Sequence, residues 1–294
     1  MIDLDRLRRH VETLARVPRP AGSRELLRVR QYVTAELQQA GWSVRPVPFT
    51  AVSPWGEMLE GVNLVAEHPR CPLAGRPQVC LGAHLDSTPE SPGADDNASA
   101  VAALLEIARL LPAETADGPR WGLELVVFDL EECGMLGGAA HAAQMRQAGI
   151  ELRGMVSLEM LGYCDPTPGS QALPRGLGGL YPDTGDFIGI VGNQNSQWLI
   201  DLFREGMQRV PGLPVEWIAV PGNGEPLQAT RLSDHSPFWD AGYSALMITD
   251  TSFLRNPHYH QSSDLPETLD YDFLTRVAEG CLRGVERVLE GLPG

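Results

Sequence analysis

The chain has 294 residues, and its 23 basic against 38 acidic side chains give a formal charge of −15. That balance disfavours a nucleic acid or an anionic membrane surface as partner, because both attract cationic proteins. No lysine occurs anywhere in the sequence, which excludes a lysine Schiff base, a phosphate-loop lysine and a Ser/Lys dyad.

From the amino terminus, residues 3 to 40 carry apolar side chains at helical spacing, broken at Pro18, Pro20 and Gly22. The pattern predicts two helices joined by a turn. Charges run through the place where a secretory apolar core would lie. The five cysteines (Cys71, Cys80, Cys133, Cys164 and Cys281) are scattered and never spaced as CxxC. Both features lead to the expectation of a soluble, cytoplasmic protein with reduced thiols.

Strands are predicted at 44–49, 62–66 and 78–82, the last ending abruptly at the polar stretch from His84 to Asn97. Ser99 to Leu111 is apolar on nearly all sides and predicts a buried helix. The run LELVVFDL (123–130) predicts a second central strand, a helix is expected from about Ala139 to Gln147, and a third strand from Met155 to Leu158. Residues 163 to 186, rich in Gly and Pro, predict an irregular loop. Strands follow at 187–191, 215–220 and 245–248, with helices near 197–207 and 271–289.

Strands alternating with helices indicate an α/β fold with a central, mostly parallel mixed sheet flanked by helices. No repeat, low-complexity tract or linker divides the sequence. Residues 1–294 are therefore expected to form a single catalytic domain, with the helices of residues 3–40 packed onto it.

The polar residues that matter follow predicted strands. In an open α/β sheet, groups beyond the carboxyl ends of the strands converge on one crevice. In GAHLD, His84 and Asp86 point to one side of an extended chain, so Asp86 can orient the imidazole of a metal-bound histidine; a polar turn without metal is the alternative. In PGADDNASA, Asp95 and Asp96 either cap the following helix or present a carboxylate able to bridge two cations.

VVFDLEECG leaves Glu131 and Glu132 together at the end of a buried strand. Uncompensated buried carboxylates are costly, which implies exposure or a nearby cation. With one glutamate on a metal, the other can take a proton from the attacking water. Glu159 follows MVSL, and His260 lies in RNPHYHQSSD; each alone is an ordinary polar residue, and their force comes from joint occurrence. Asp96, Glu132, Glu159 and one hydroxide would also offset the charge of two Zn²⁺ ions.

HLD, GADDNAS, DLEE, LEMLGY, SDHSPFW and NPHYHQSSD, in this order and from about residue 20 to 275, resemble the M28 family of zinc peptidases. The resemblance implies the zinc-exopeptidase fold and two zinc ions, one on His84, Asp96 and Glu159, the other on Asp96, Glu132 and His260, with Asp96 bridging. It implies Glu131 as general base acting on a metal-bridged water, Asp86 as partner of His84, and Tyr259 either as oxyanion stabiliser or as packing. The substrate implied is a peptide, cut by an aminopeptidase.

One departure is Glu159, where many aminopeptidases of the family carry Asp; a carboxypeptidase or dipeptidase is thus an alternative. DHSPF (234–238) is shared with glutaminyl-peptide cyclotransferases, which use one zinc, a second alternative. A non-catalytic relative is disfavoured because all six positions are filled, and no GxSxG elbow supports a serine hydrolase. Asp234 and His235 either begin the short helix SPFWDAG, with Asp234 as its cap, or help to shape the substrate site; the capping role is expected. Arg255 and Asn256 take no assignment, and side-chain specificity is expected to reside in the loops near 163–186 and 211–229.

Overall fold

The computed structural model describes residues 1–111 and 121–290. Two helices open the chain, α1 (Leu4–Leu14) and α2 (Arg24–Gln39). The side chains of Asp3 and Ser23 accept the main-chain N–H groups of Arg6 and Leu26, satisfying donors that a first helical turn leaves unpaired. Leu7, Val11 and Leu14 of α1 and Leu26, Val29, Val33 and Leu37 of α2 are buried, each set forming one stripe at helical spacing.

The hairpin β1 (Ser43–Val52) and β2 (Met58–Glu67) follows, longer on both arms than its apolar runs predict. Then come β3 (Gln78–His84), α3 (Ala100–Leu110), β4 (Gly122–Phe128), α4 (Leu136–Gln147) and β5 (Leu152–Glu159). α4 begins three residues before its expected start, because Gly137 and Gly138 are helical although the sequence gives them no helical preference. The stretch expected to be irregular contains a short antiparallel ribbon, β6 (Asp165–Pro168) with β7 (Thr184–Gly185). The chain ends with β8 (Ile188–Asn193), α5 (Gln197–Met207), β9 (Val215–Val220), α6 (His235–Asp240), β10 (Ala245–Thr249) and α7 (Tyr271–Glu290).

Eight strands form one mixed sheet in the order β1-β2-β4-β3-β5-β10-β8-β9. Its centre, β4-β3-β5-β10, is parallel, and antiparallel pairs lie at β1-β2, β2-β4 and β10-β8. Alternate residues of each strand enter two separate cores. Val79, Leu81 and Ala83 of β3 pack with α1, α2, α3, α5 and α7, whereas Cys80 packs with α4 and α6 on the opposite face. Both faces of β3 and β4 are therefore buried, which is why these strands read as continuous apolar runs rather than as alternation.

Two buried histidines make this packing acid-sensitive. His10 in α1 and His235 at the start of α6 are both lowered to about 4, chiefly by burial. Between their ordinary 6.5 and about 4 the unfolded chain binds protons that the folded chain does not, so stability is complete above that window and falls as pH drops through it. The loss amounts to about 3 kcal/mol per histidine. Urea unfolding measured between neutral pH and about pH 4.5 should show this decline, and His10→Gln should make it shallower; an unchanged pH slope in the variant would refute the assignment.

Candidate metal centre

The residues singled out in the sequence stand at one end of the sheet. His84 is the last residue of β3, Glu159 the last of β5, and Glu131 and Glu132 follow β4. Because β4, β3 and β5 run parallel, their carboxyl ends open onto the same crevice. Asp96 reaches it from the turn ahead of α3, and His260 from the loop after β10.

The geometry divides these side chains into two triads sharing one carboxylate. His84 Nε2 lies 3.2 Å from Asp96 Oδ1 and 3.5 Å from Glu159 Oε1. His260 Nε2 lies 3.1 Å from Asp96 Oδ2 and 3.1 Å from Glu132 Oε2. Asp96 thus offers one oxygen to each group, and the donor atoms of each triad lie within 4.8 Å of one another. Glu131 belongs to neither triad and approaches His84 Nε2 only to 4.0 Å.

Electrostatics shows what such a gathering needs. Burial raises Glu131, Glu132 and Glu159, with Glu132 brought to about 7, and neighbouring carboxylates add to the rise. Burial alone would lower both histidines, yet the surrounding carboxylates hold His84 well above its ordinary value and His260 at about 10. So many buried carboxylates around two imidazoles call for added positive charge. His84 Nε2 and Glu132 Oε1 are moreover buried without any hydrogen-bond partner among the described residues, a costly state for groups that would be satisfied as ligands. The nitrogen and oxygen donors therefore fit a pair of divalent ions such as zinc.

A third grouping, Cys80, Glu124 and His141, is buried between the sheet and α4. Here His141 Nε2 stands 2.8 Å from Glu124 Oε2, ordinary hydrogen-bond spacing, whereas the two triads keep their donors at 3.1 to 3.5 Å. The third grouping is a buried hydrogen-bonded pair beside a thiol.

The other sequence candidates have defined places. His84 Nδ1 makes its 3.1 Å hydrogen bond with the main-chain oxygen of Asp86, and the Asp86 carboxylate lies at 3.6 Å. That carboxylate instead accepts the main-chain N–H groups of Glu131 and Glu132 at 3.1 and 3.2 Å, so it orients the β4 loop as well. Tyr259 stacks on His260 with ring centroids 3.8 Å apart. Neither Asp95 nor Asp96 caps α3: the Asp95 carboxylate accepts from Gly162 N and from Asn256 Nδ2, which gives Asn256 its role. Arg255 lies over the Phe187 ring and donates to Gln171.

The expectation that Asp234 caps α6 fails. Its side chain makes no capping bond, and its carboxylate is fully buried beside the main chain of Gly138. The reason lies in α4: a Cβ built at Gly138 would stand 2.6 Å from Asp234 Oδ1, so the carboxylate is packed against the start of α4 rather than turned back on its own helix. His235 sits in the first turn of α6 and bonds the Thr230 carbonyl oxygen.

Several supporting residues escaped sequence reasoning. Asp264 accepts the main-chain N–H groups of Asp95 and Asp96, and Ser233 donates to Glu159 Oε2 at 2.8 Å. Both lie inside motifs already singled out, QSSD and SDHSPF, which was the available signal. The fully buried Arg19 donates to the carbonyl oxygens of Leu85, Pro92 and Gly93. Backbone strain also collects here: Leu130, Met135, Met160, Thr251, Ser252 and His260 are the non-glycine residues with positive φ among those described, and each adjoins or lines the site.

Among the described residues no helix is long and apolar enough to cross a membrane. The sequence is 36% identical over 234 residues to the Escherichia coli K12 protein YfbL, itself uncharacterized, covering 75% of this chain and 69% of that protein. It is 28% identical over 212 residues to leucine aminopeptidase 1 of Trichophyton equinum, covering 68% of this chain and 52% of the fungal protein, so it spans about half the length of that relative. In fold it is similar to a zinc aminopeptidase from Bacillus subtilis, with TM-score 0.76, 13% identity and coverage of 99% and 96% of the two chains. It is also similar to Porphyromonas gingivalis glutaminyl cyclase, with TM-score 0.71, 20% identity and coverage of 97% and 98%. The family model for peptidase family M28 matches residues 63–285. With the match spanning both triads and most of the sheet, the chain belongs to peptidase family M28.

Proposed function

We propose that this chain is a dinuclear zinc aminopeptidase. The observation that carries the reading is Asp96, whose two oxygens face two different histidines, each with a further carboxylate. In this reading His84, Asp96 and Glu159 hold one zinc, and Asp96, Glu132 and His260 the other. When bound, the ions supply Lewis-acid polarisation of the scissile carbonyl and acidify the attacking water.

The remaining steps fall to the chain itself. Glu131 accepts the water proton as the oxygen attacks the carbonyl carbon, then returns a proton to the amine as the C–N bond breaks. Asp86 steadies that base through the main-chain N–H groups of Glu131 and Glu132. The Tyr259 hydroxyl, beside His260 in the cavity wall, donates to the oxygen on which negative charge develops.

Charge supports attack at the amino end. Among the described residues no arginine lines the cavity at the metal centre, and the chain has no lysine. Away from the ions a free substrate carboxylate would find no cationic arginine or lysine there, whereas a free ammonium enters a cavity whose charged side chains are mostly acidic. This outweighs the longer side chain at Glu159 as a pointer to direction. Five unpaired cysteines support a reducing, cytoplasmic setting.

The test is a screen of aminoacyl amides and amino-blocked dipeptides, with and without chelator, alongside zinc analysis. About two zinc ions per chain and cleavage that requires a free amino group are expected. One zinc with cyclisation of N-terminal glutamine, or cleavage of blocked dipeptides from the carboxyl end, would overturn the reading.

A further inference from the structure

Strand register extends the metal centre sideways across the sheet. Glu159 of β5 pairs with Thr249 of β10, Thr249 with Gly189 of β8, and Gly189 with Glu216 of β9. Residues directly opposite on neighbouring strands point to the same face, so these four form one row. Three strand spacings separate its ends, about 14 Å from the Glu159 backbone to that of Glu216. The next row toward the amino end of β10, Met247, Val191 and Ile218, lies parallel to it.

A cavity of about 310 Å³ is lined by Glu159, Thr249 and Glu216 of the first row and by Met247, Val191 and Ile218 of the second, together with metal-centre residues. Gly189, between Thr249 and Glu216 in the first row, is buried, and a Cβ built there would press on the Thr249 carbonyl oxygen at 3.3 Å. At the far end of the first row stands Glu216, the charged residue of the lining that is not part of the metal centre. It is partly buried and has no hydrogen bond or ion pair among the described residues, and partial burial raises its carboxyl.

A carboxylate in a cavity lined otherwise by apolar side chains suits one kind of side chain, a long methylene stem carrying a cation. We propose that Glu216 selects peptides whose N-terminal residue is arginine or lysine, the stem lying on Val191 and Ile218 and the cation meeting the Glu216 carboxylate. The proposal rests on the aminopeptidase reading for the orientation of the substrate. Glu216 is a specificity residue; it touches the substrate side chain and leaves the bond-breaking groups unchanged.

The experiment compares kcat/KM for arginine, lysine, leucine and alanine amides in the zinc-loaded wild type and Glu216→Gln, together with calorimetric binding of argininamide and leucinamide. Wild type should favour arginine and lysine. Glu216→Gln should lose on the order of tenfold to hundredfold on those two substrates alone, with unchanged thermal unfolding. Leucine preferred by the wild type, or a uniform effect of Glu216→Gln on all substrates, would overturn the proposal. Binding of argininamide that depends on Glu216 without hydrolysis of any amide would reject the aminopeptidase reading and uphold the pocket assignment.

Discussion

Glu131→Gln is expected to keep the metal content of the wild type and to lose at least ~10²-fold in kcat, the lower end of what a general base contributes. The separation of effects follows from geometry. Both triads are complete without Glu131, whose nearest triad nitrogen is 4.0 Å away, so an amide of the same shape removes no ligand. What it removes is the only function left for that carboxylate, accepting a proton at an oxygen aimed into the site. The main-chain bonds from Glu131 and Glu132 to Asp86 do not involve the substituted atoms and should hold the loop in place. Zinc analysis with steady-state kinetics checks the result: lost metal would make Glu131 a ligand, and near-normal turnover would remove it from the mechanism.

The metal centre was legible because its members stand where secondary structure changes. Glu131 and Glu132 break an apolar run at the end of β4, and His84 does the same for β3; a polar group ending a buried strand must face either water or a partner. Glu159 likewise closes the run MVSL at the end of β5, but as a single glutamate it, like His260 in a turn-prone stretch, gained its meaning through the order of the motifs. Asp234 shows the limit of a local rule: its position is that of a cap, but packing against Gly138 of α4 decides where its carboxylate goes.

The row running from Glu159 to Glu216 lay beyond sequence reading for a different reason. It depends on strand order, and β5-β10-β8-β9 brings together segments that are not consecutive in the chain. No periodicity in any one strand announces a neighbour that arrives ninety residues later, as Thr249 does beside Glu159. The β6–β7 ribbon was hidden by composition, since its four-residue strand contains Pro166 and Pro168, residues that argue against pairing except at edges.

Arg19→Met is expected to destabilise the protein by about 3–5 kcal/mol, as loss of a buried, fully bonded charged group does, and to weaken zinc binding by about tenfold to a hundredfold, the usual effect of losing an outer support of a metal site. Arg19 lies outside the residues matched by the family model, in the turn between α1 and α2, and is completely buried. Its guanidinium donates to Leu85 O at 2.6 Å, to Gly93 O at 2.9 Å and to Pro92 O, tying the strand end that carries His84 to the turn that carries Asp96. Burial pulls its pKa down, while Asp96, Asp264, Asp86 and Glu132 hold it up.

Two effects oppose each other in this variant. Removing a cation near acidic ligands favours metal binding, whereas releasing three buried carbonyls separates the loops that position those ligands. Geometry should dominate, because coordination depends on sub-ångström placement of side chains while the charge acts from behind the backbone. Arg19→Lys separates the two: it keeps the charge but cannot reach three carbonyls from one planar fork, so it too should bind zinc more weakly than wild type. Chelator competition and urea unfolding at fixed zinc measure both quantities. Tighter zinc binding in Arg19→Met with wild-type affinity in Arg19→Lys would show that charge, not the clamp, is what Arg19 contributes.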